Sequence, residues 1–238
     1  MNPYRFGASA PPPATDPYFS SVGLLLHGGG ADNSTVITDS SGTPKTVTPY
    51  YNCRISTTRT VYGTGSIYCD GAQDYFSYPQ HTDFDFGSGD LTIEFWGYIS
   101  SIAASERIFQ SRDGDVVAGL YLSGGSSSNT LQLHYSTNGT GFATAGFTFS
   151  ANIDTWTHYA ITRLSGIFSI WKGGVLQGTH GSAGALYYNA AHSWIWGGQS
   201  TADRSPSVFF YDVRKTKGIA RYTGAGPFIV PPLQFPNS

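Results

Sequence analysis

The chain predicts an all-β protein, an antiparallel jelly-roll sandwich of two packed sheets. Three observations predict it. Aromatic and β-branched runs of strand length recur along most of the chain, separated by Gly, Ser and Asn clusters. LTIEFWGYI, from Leu91 to Ile99, alternates in the manner of a half-buried strand: Leu91, Ile93, Phe95 and Gly97 on one face, Thr92, Glu94, Trp96 and Tyr98 on the other. No helical periodicity appears beyond a single turn expected at KTKGIARY. Many short strands joined by wide loops fit two sheets packed face to face.

The elements follow in order. Residues 1–17 are a polar arm in which Pro11, Pro12 and Pro13 favour an extended, unbonded backbone. The arm is either a disordered leader or a segment that orders on a neighbouring subunit. From Tyr18 onward, VGLLLH reads as the first strand and HGGGADNST as a loop. TPKTVTPYYNCRIS and TGSIYCDG read as two strands around a turn near Tyr62 and Gly63. LTIEFWGYI, VAGLYLSG, TLQLHYST and GFATAGFTF come next, then a meander of WTHYAITRL, FSIWKGG and VLQGTHG. Gly173 and Gly174 suit a tight hairpin turn, because glycine accepts positive φ. WIWGGQ and SVFFYDVR are the last strands. With no internal repeat and no linker after residue 17, residues 18–238 read as one domain, ending in a proline-rich tail.

Composition narrows the function. A chain of 238 residues can bury a core without a metal or disulfide to hold it. Charged residues are 12% of the chain and the net charge is −2, which excludes the basic face an electrostatic nucleic-acid binder requires. No apolar run approaches a membrane span, and the first residues lack the apolar core of a secretory signal, so synthesis in a cytoplasm is expected. The NST at Asn33 and NGT at Asn138 then carry no glycan.

Glycoside hydrolysis needs two carboxyl groups roughly 5 to 9 Å apart. Glu94 and Glu106 are the only glutamates, and they lie in different segments. Asp83 and Asp85 share a strand-face spacing but sit in a glycine-flanked loop. HExxH, GxSxG and phosphate-loop motifs are absent. The reading is therefore non-enzymatic. The six histidines occur singly, and His158 reads as a hydrogen-bonded strand residue.

Two other features are specific. Cys53 and Cys69 lie on strands whose pairing centres on Val61, so a regular hairpin sets them face to face at a distance a disulfide can span. Synthesis in a reducing compartment leaves buried free thiols as the other reading. The densest aromatic cluster is LYYNAAHSWIW, Leu186 to Trp196. Trp194 and Trp196 share one face and read as core. Tyr187 and Tyr188 are adjacent, so one of them points outward, and with His192 they are the candidate glycan-binding residues. Ordinary rim aromatics are the alternative.

Four stretches carry a family resemblance, in order. They are DPYFSSVGLLLHGGG from Asp16, FDFGSGDLTIEFWGYI from Phe84, DTWTHYAITRLSGIFSIWKGGVLQG from Asp154, and YDVRKTKGIARYTG from Tyr211. Together they resemble laminin-G-like, concanavalin A-type jelly-roll domains of bacteriophage structural and adhesion proteins. The resemblance implies a virion surface protein, in head decoration or in a fibre or tail. It also implies contacts with capsid or tail proteins and a homo-oligomer such as a trimer. The proline-rich ends would serve as docking arms. A carbohydrate-binding module for host surface polysaccharide is the alternative, and a depolymerase the third. By family analogy calcium is the one cofactor to consider, with Asp212 and the carbonyl of Gly71 as ligands and Asp70 or Asp74 as substitutes. The chain departs from the family in lacking an acidic residue in HGGG and in having Tyr211 before a single Asp212. Asp212 can equally cap a strand end or pair with Arg214 or Arg221.

Overall fold

A computed structural model describes residues 15–112, 119–141, 143–181, 184–200 and 204–238, for 143–147 the backbone alone. Most of the expected N-terminal arm lies outside the described residues. Among the described residues fifteen strands form, in chain order: β1 (Val22–Leu26), β2 (Thr48–Tyr50), β3 (Arg54–Ser56), β4 (Ser66–Cys69), β5 (Tyr75–Pro79), β6 (Leu91–Ser101), β7 (Arg107–Gln110), β8 (Leu120–Gly124), β9 (Thr130–Tyr135), β10 (Ala143–Ser150), β11 (Thr157–Leu164), β12 (Ile167–Lys172), β13 (Val175–Gly181), β14 (Ser193–Trp196) and β15 (Ser207–Lys217). They build two antiparallel sheets. The eight-stranded sheet runs β13-β12-β11-β6-β15-β4-β3, with β1 also on β15. The seven-stranded sheet runs β10-β9-β8-β7-β14-β5-β2. The jelly-roll sandwich read from the sequence is the fold.

The core lies between the sheets. Leu91, Ile93 and Phe95 of β6 face Trp194 and Trp196 of β14 and Phe109 of β7 within one buried cluster. The Phe95 ring meets Trp196 edge-on at 5.5 Å, and Phe109 lies 4.9 Å from Trp196. Such ring pairs add to the burial of apolar area that dominates stability. The expected hairpin at Gly173 and Gly174 forms, with Lys172 opposite Val175 and φ of 56° and 79° at the two glycines.

Several expectations are corrected. TPKTVTPYYNCRIS is not one strand. Tyr51 takes φ 56° and breaks it, sending β2 into one sheet and β3 into the other. Two strands went unread: β5, which ends on a proline, and the four-residue β7. The KTKGIARY turn does not form, because Lys215–Lys217 extend β15 along β6 and β1. Finally, β6 is buried on both faces over Leu91–Phe95, not half-buried. The reason is the C-terminal tail. It folds back over the outer face of the eight-stranded sheet and buries Phe235 against Val22 and Leu25. The tail therefore docks on its own domain through Phe235, with Ile229 and Leu233 left exposed.

β15 changes partner half-way. Val208–Phe210 pair with β4, and Val213–Thr216 pair with β1. A bulge between Tyr211 and Arg214 marks the exchange, with Asp212 at φ 48°. Bulges bend a strand and re-aim its side chains, and here the re-aimed side chains belong to Asp212 and Arg214.

Candidate functional site

The outer face of the eight-stranded sheet carries a buried ionic seam. Glu94, 0% exposed, receives Arg214 Nε at 2.9 Å, His158 Nε2 at 3.2 Å and the Tyr222 hydroxyl at 2.6 Å. Asp16 receives Arg214 at 2.9 Å and Arg221 at 2.7 Å. The Arg214 guanidinium lies 3.7 Å from the centre of the Phe235 ring, and Tyr222 stacks on Phe228 at 3.7 Å. Burial pushes the Glu94 carboxyl up, but Arg214, His158 and Arg221 outweigh it and hold Glu94 well below the usual carboxylate range. His158 is the hydrogen-bonded strand residue expected. Glu94, the one strand carboxylate a glycosidase could have used, is sealed and fully partnered.

Asp212 is also spent. Its Oδ1 lies 2.5 Å from His27 Nδ1, and its Oδ2 accepts the Phe235 N–H at 2.8 Å. His27 Nε2 in turn faces Asn237 Oδ1 at 2.5 Å. Two oxygen acceptors on the two ring nitrogens favour the imidazolium. Burial lowers the His27 pKa, but the Asp212 contact and the Asn237 carbonyl outweigh it and the net shift is upward. The pairing expected between Asp212 and Arg214 or Arg221 does not occur, because those arginines serve Glu94 and Asp16. Gly71 packs beside Ser205–Ser207 at the other end of β15, roughly 15 Å along the strand from Asp212. Among the described residues no group of three or more His, Cys, Asp or Glu side chains can hold a metal ion. Asp212 and Gly71 do not fit calcium, which wants six to eight oxygens around one point.

Tyr187 and Tyr188 do share a crevice, lined also by Phe84, Leu186 and Trp194. Its volume is about 10 Å³, room for one water and not for a sugar ring. His192 lies outside that lining. Trp194 and Trp196 are core, as read.

The larger hollow lies elsewhere, at an edge of the sandwich. It measures about 440 Å³ and is lined by Asn33, Thr35, Tyr51, Asn52, Arg54 and Asp70, with Cys53 beneath. Three segments build it. The loop at Asn33 is fastened to β3 by Asn33 N–H to the Ile55 carbonyl at 2.9 Å and Ile55 N–H to the Ser34 carbonyl at 2.8 Å. The Tyr51–Asn52 turn crosses between the sheets. Buried Asp74 accepts the N–H of Asn52 and of Asp70, each at 2.8 Å, and so ties that turn to the end of β4. Asn33 and Tyr51 both take positive φ, 62° and 56°. For a bulky residue that conformation is costly and is held only by its surroundings. Tyr51 is 67% exposed, its ring edge-on to Tyr75 at 6.2 Å. Arg54 is aimed by Asn33 Oδ1 at 2.9 Å and the Asn52 carbonyl at 2.7 Å. The hollow thus gathers an exposed tyrosine, two amides, a guanidinium and a carboxylate around one open volume. Sequence reading missed it, because its residues come from three separated segments; the run YYNCR was its nearest local signal.

Cys53 and Cys69 meet as the hairpin register requires. Their sulfurs are 2.9 Å apart, both thiols are free and both are buried.

Residues 70–214 match the family described as the concanavalin A-like lectin/glucanases superfamily. The chain belongs to that superfamily. Solved structures agree on the fold. The binding domain of Paraclostridial Mosquitocidal Protein 1 superposes with a TM-score of 0.65 at 12% identity, covering 85% of this chain and 50% of that one. The botulinum neurotoxin serotype D binding domain gives 0.65 at 14% identity, covering 86% and 50%. The botulinum neurotoxin type G receptor binding domain gives 0.61 at 15% identity, covering 84% and 48%. The chain spans about half the length of these structures. No curated protein matches it. Among the described residues no helix is long and apolar enough to cross a membrane.

Proposed function

We propose that the chain is a non-catalytic carbohydrate-binding module and that the edge hollow is its binding site. The hollow itself carries this reading. It is an open, polar-lined depression, and the groups gathered around it are what a sugar would meet. A sugar presents apolar ring faces and hydroxyls that both donate and accept. Tyr51 offers a ring to stack on, Asn33 and Asn52 carry amides able to do both, Arg54 donates and Asp70 accepts. Membership in a lectin-containing superfamily and likeness in fold to the binding domains of toxins support it. The non-catalytic part is supported by Glu94, whose burial keeps it from any substrate.

The test is an array of immobilised mono- and oligosaccharides. The wild-type chain should be retained on at least one saccharide, and Tyr51→Ala should weaken that binding about tenfold, the loss of one stacked ring. Retention on none at millimolar loading would sink the reading. Undiminished binding by Tyr51→Ala would move the site elsewhere, and reducing ends released from the bound glycan would make the module an enzyme.

The setting we propose is a virion surface. Its support is the four-stretch resemblance alone, from Asp16 to Gly224. Mass spectrometry of purified particles from a phage encoding the chain tests it, and absence from the particle removes it.

A further inference from the structure

We infer that Cys53 and Cys69 are a cross-strand disulfide site that clamps the edge hollow. The register of β3 on β4 is Arg54 to Tyr68, Ile55 to Ile67 and Ser56 to Ser66. One step further sets Cys53 against Cys69. Opposed residues of an antiparallel pair lie about 4.5 to 5.5 Å apart at Cα, within the span a disulfide bridges without backbone movement. The sulfurs already face each other at 2.9 Å. The opposite sheet leaves space for them. Gly197, at φ 80°, lies so close that a Cβ there would stand 2.6 Å from the Cys69 sulfur.

The bond joins the two walls of the hollow. Cys53 follows Asn52, and Cys69 precedes Asp70. Between those neighbours the backbones already share Asp74, but the two side chains that line the hollow meet only in a long contact, Asn52 Nδ2 to Asp70 Oδ2 at 3.4 Å. Closing the bond fixes the spacing of a donor and an acceptor that both line the hollow. Its bearing on binding rests on the reading of the hollow given above; the bond itself does not.

The chemistry balances with a small-molecule disulfide such as oxidised glutathione as oxidant. The thiolate of one cysteine attacks a glutathione sulfur, forming a mixed disulfide and releasing one glutathione. The second cysteine attacks the first cysteine's sulfur and releases the other. Two electrons pass to the oxidant, and the two protons end on the glutathione thiols. Burial and the neighbouring Cys53 push the Cys69 thiol well up, so exchange is slow once the sandwich has closed. The redox state is then set while the chain folds.

The experiment folds the full chain in oxidised glutathione and, separately, in reductant. Both samples are then denatured, alkylated and weighed intact. The oxidised sample should carry two fewer alkyl groups. Its melting point should rise by about 5–10 °C, and the amides of Tyr51–Arg54 should exchange more slowly. Cys53→Ser should abolish all three differences. Two alkylated thiols, or glutathione adducts in place of the internal bond, overturn the disulfide. A bond that leaves exchange at Tyr51–Arg54 unchanged overturns the clamp. Since no saccharide enters the experiment, its failure is separate from failure of the glycan reading.

Discussion

The covered face of the eight-stranded sheet and the hollow at the sandwich edge are both polar, yet they serve opposite ends. In the seam, charges meet charges: Glu94 and Asp16 are shared among Arg214, Arg221 and His158 beneath Phe235 and Tyr222. In the hollow, the polar groups bond one another around an open volume, and Tyr51 keeps a backbone conformation unfavourable for a bulky residue. A partnered, dry cluster fastens the chain to itself. An open cluster held in strain is available to something else. Residue type does not separate the two regions; both contain Arg, Asp and Tyr.

The largest effect that would test this contrast is removal of Glu94. Glu94→Ala leaves buried His158 and Tyr222 without their acceptor and Arg214 with Asp16 alone, and breaking a buried pair in this way costs about 3–5 kcal/mol. Urea unfolding would read it as a lower midpoint. A loss under about 1 kcal/mol would mean the seam is as weakly coupled as the hollow. Saccharide binding by the surviving folded fraction should be unchanged.

A smaller effect should follow pH. The Glu94 and Asp16 pKa values are depressed because arginine charge outweighs burial. Stability from such groups is fully present above the unfolded carboxylate value of about 4 and is lost as pH falls toward the folded value. His27 has the opposite sign. Its folded pKa is raised, so its contribution is full below the unfolded value of about 6.5 and fades as pH rises through the folded one. The tail should therefore loosen from two sides: through the seam in acid, and through the His27–Asp212–Asn237 contact toward neutral and above. Amide exchange at Phe235, whose N–H is held by Asp212, measures both arms. His27→Gln should remove the upper arm and leave the acid arm intact. Protection of the Phe235 amide, relative to an unfolded chain, that stays constant between about pH 3 and 8 would show that neither contact fastens the tail.

The sequence carried the sandwich because its signals are local. Alternation in LTIEFW, the glycine pair after Lys172, and hairpin arithmetic placing Cys53 on Cys69 each need only neighbouring residues. The seam was hidden because its partners are remote: Asp16 meets Arg221 across 205 positions and Glu94 meets Arg214 across 120. The local sequence therefore shows Glu94 as a single strand carboxylate, and Asp212 as either a strand-end cap or ion-pair partner or a metal ligand. The hollow was hidden for a different reason. It depends on Tyr51 breaking a β-rich run at positive φ, which nothing in the tyrosine itself announces. The aromatic density at Tyr187 and Tyr188 is the stronger local signal, yet the crevice they line holds only about 10 Å³.

The smallest effect expected is on stability at Tyr51, and it is the most discriminating. Tyr51→Gly relieves a backbone conformation that disfavours a bulky side chain. It also loses the edge contact to Tyr75 and gives the unfolded chain more freedom. These terms oppose each other, so the net change should stay within about 0.5 kcal/mol. Binding, by contrast, should fall as it does for Tyr51→Ala. That separation, function lost with stability kept, is what a strained residue reserved for a ligand predicts. If Tyr51→Gly costs more than about 2 kcal/mol, Tyr51 is a packing residue, and the hollow belongs with the seam as part of what holds the two sheets together.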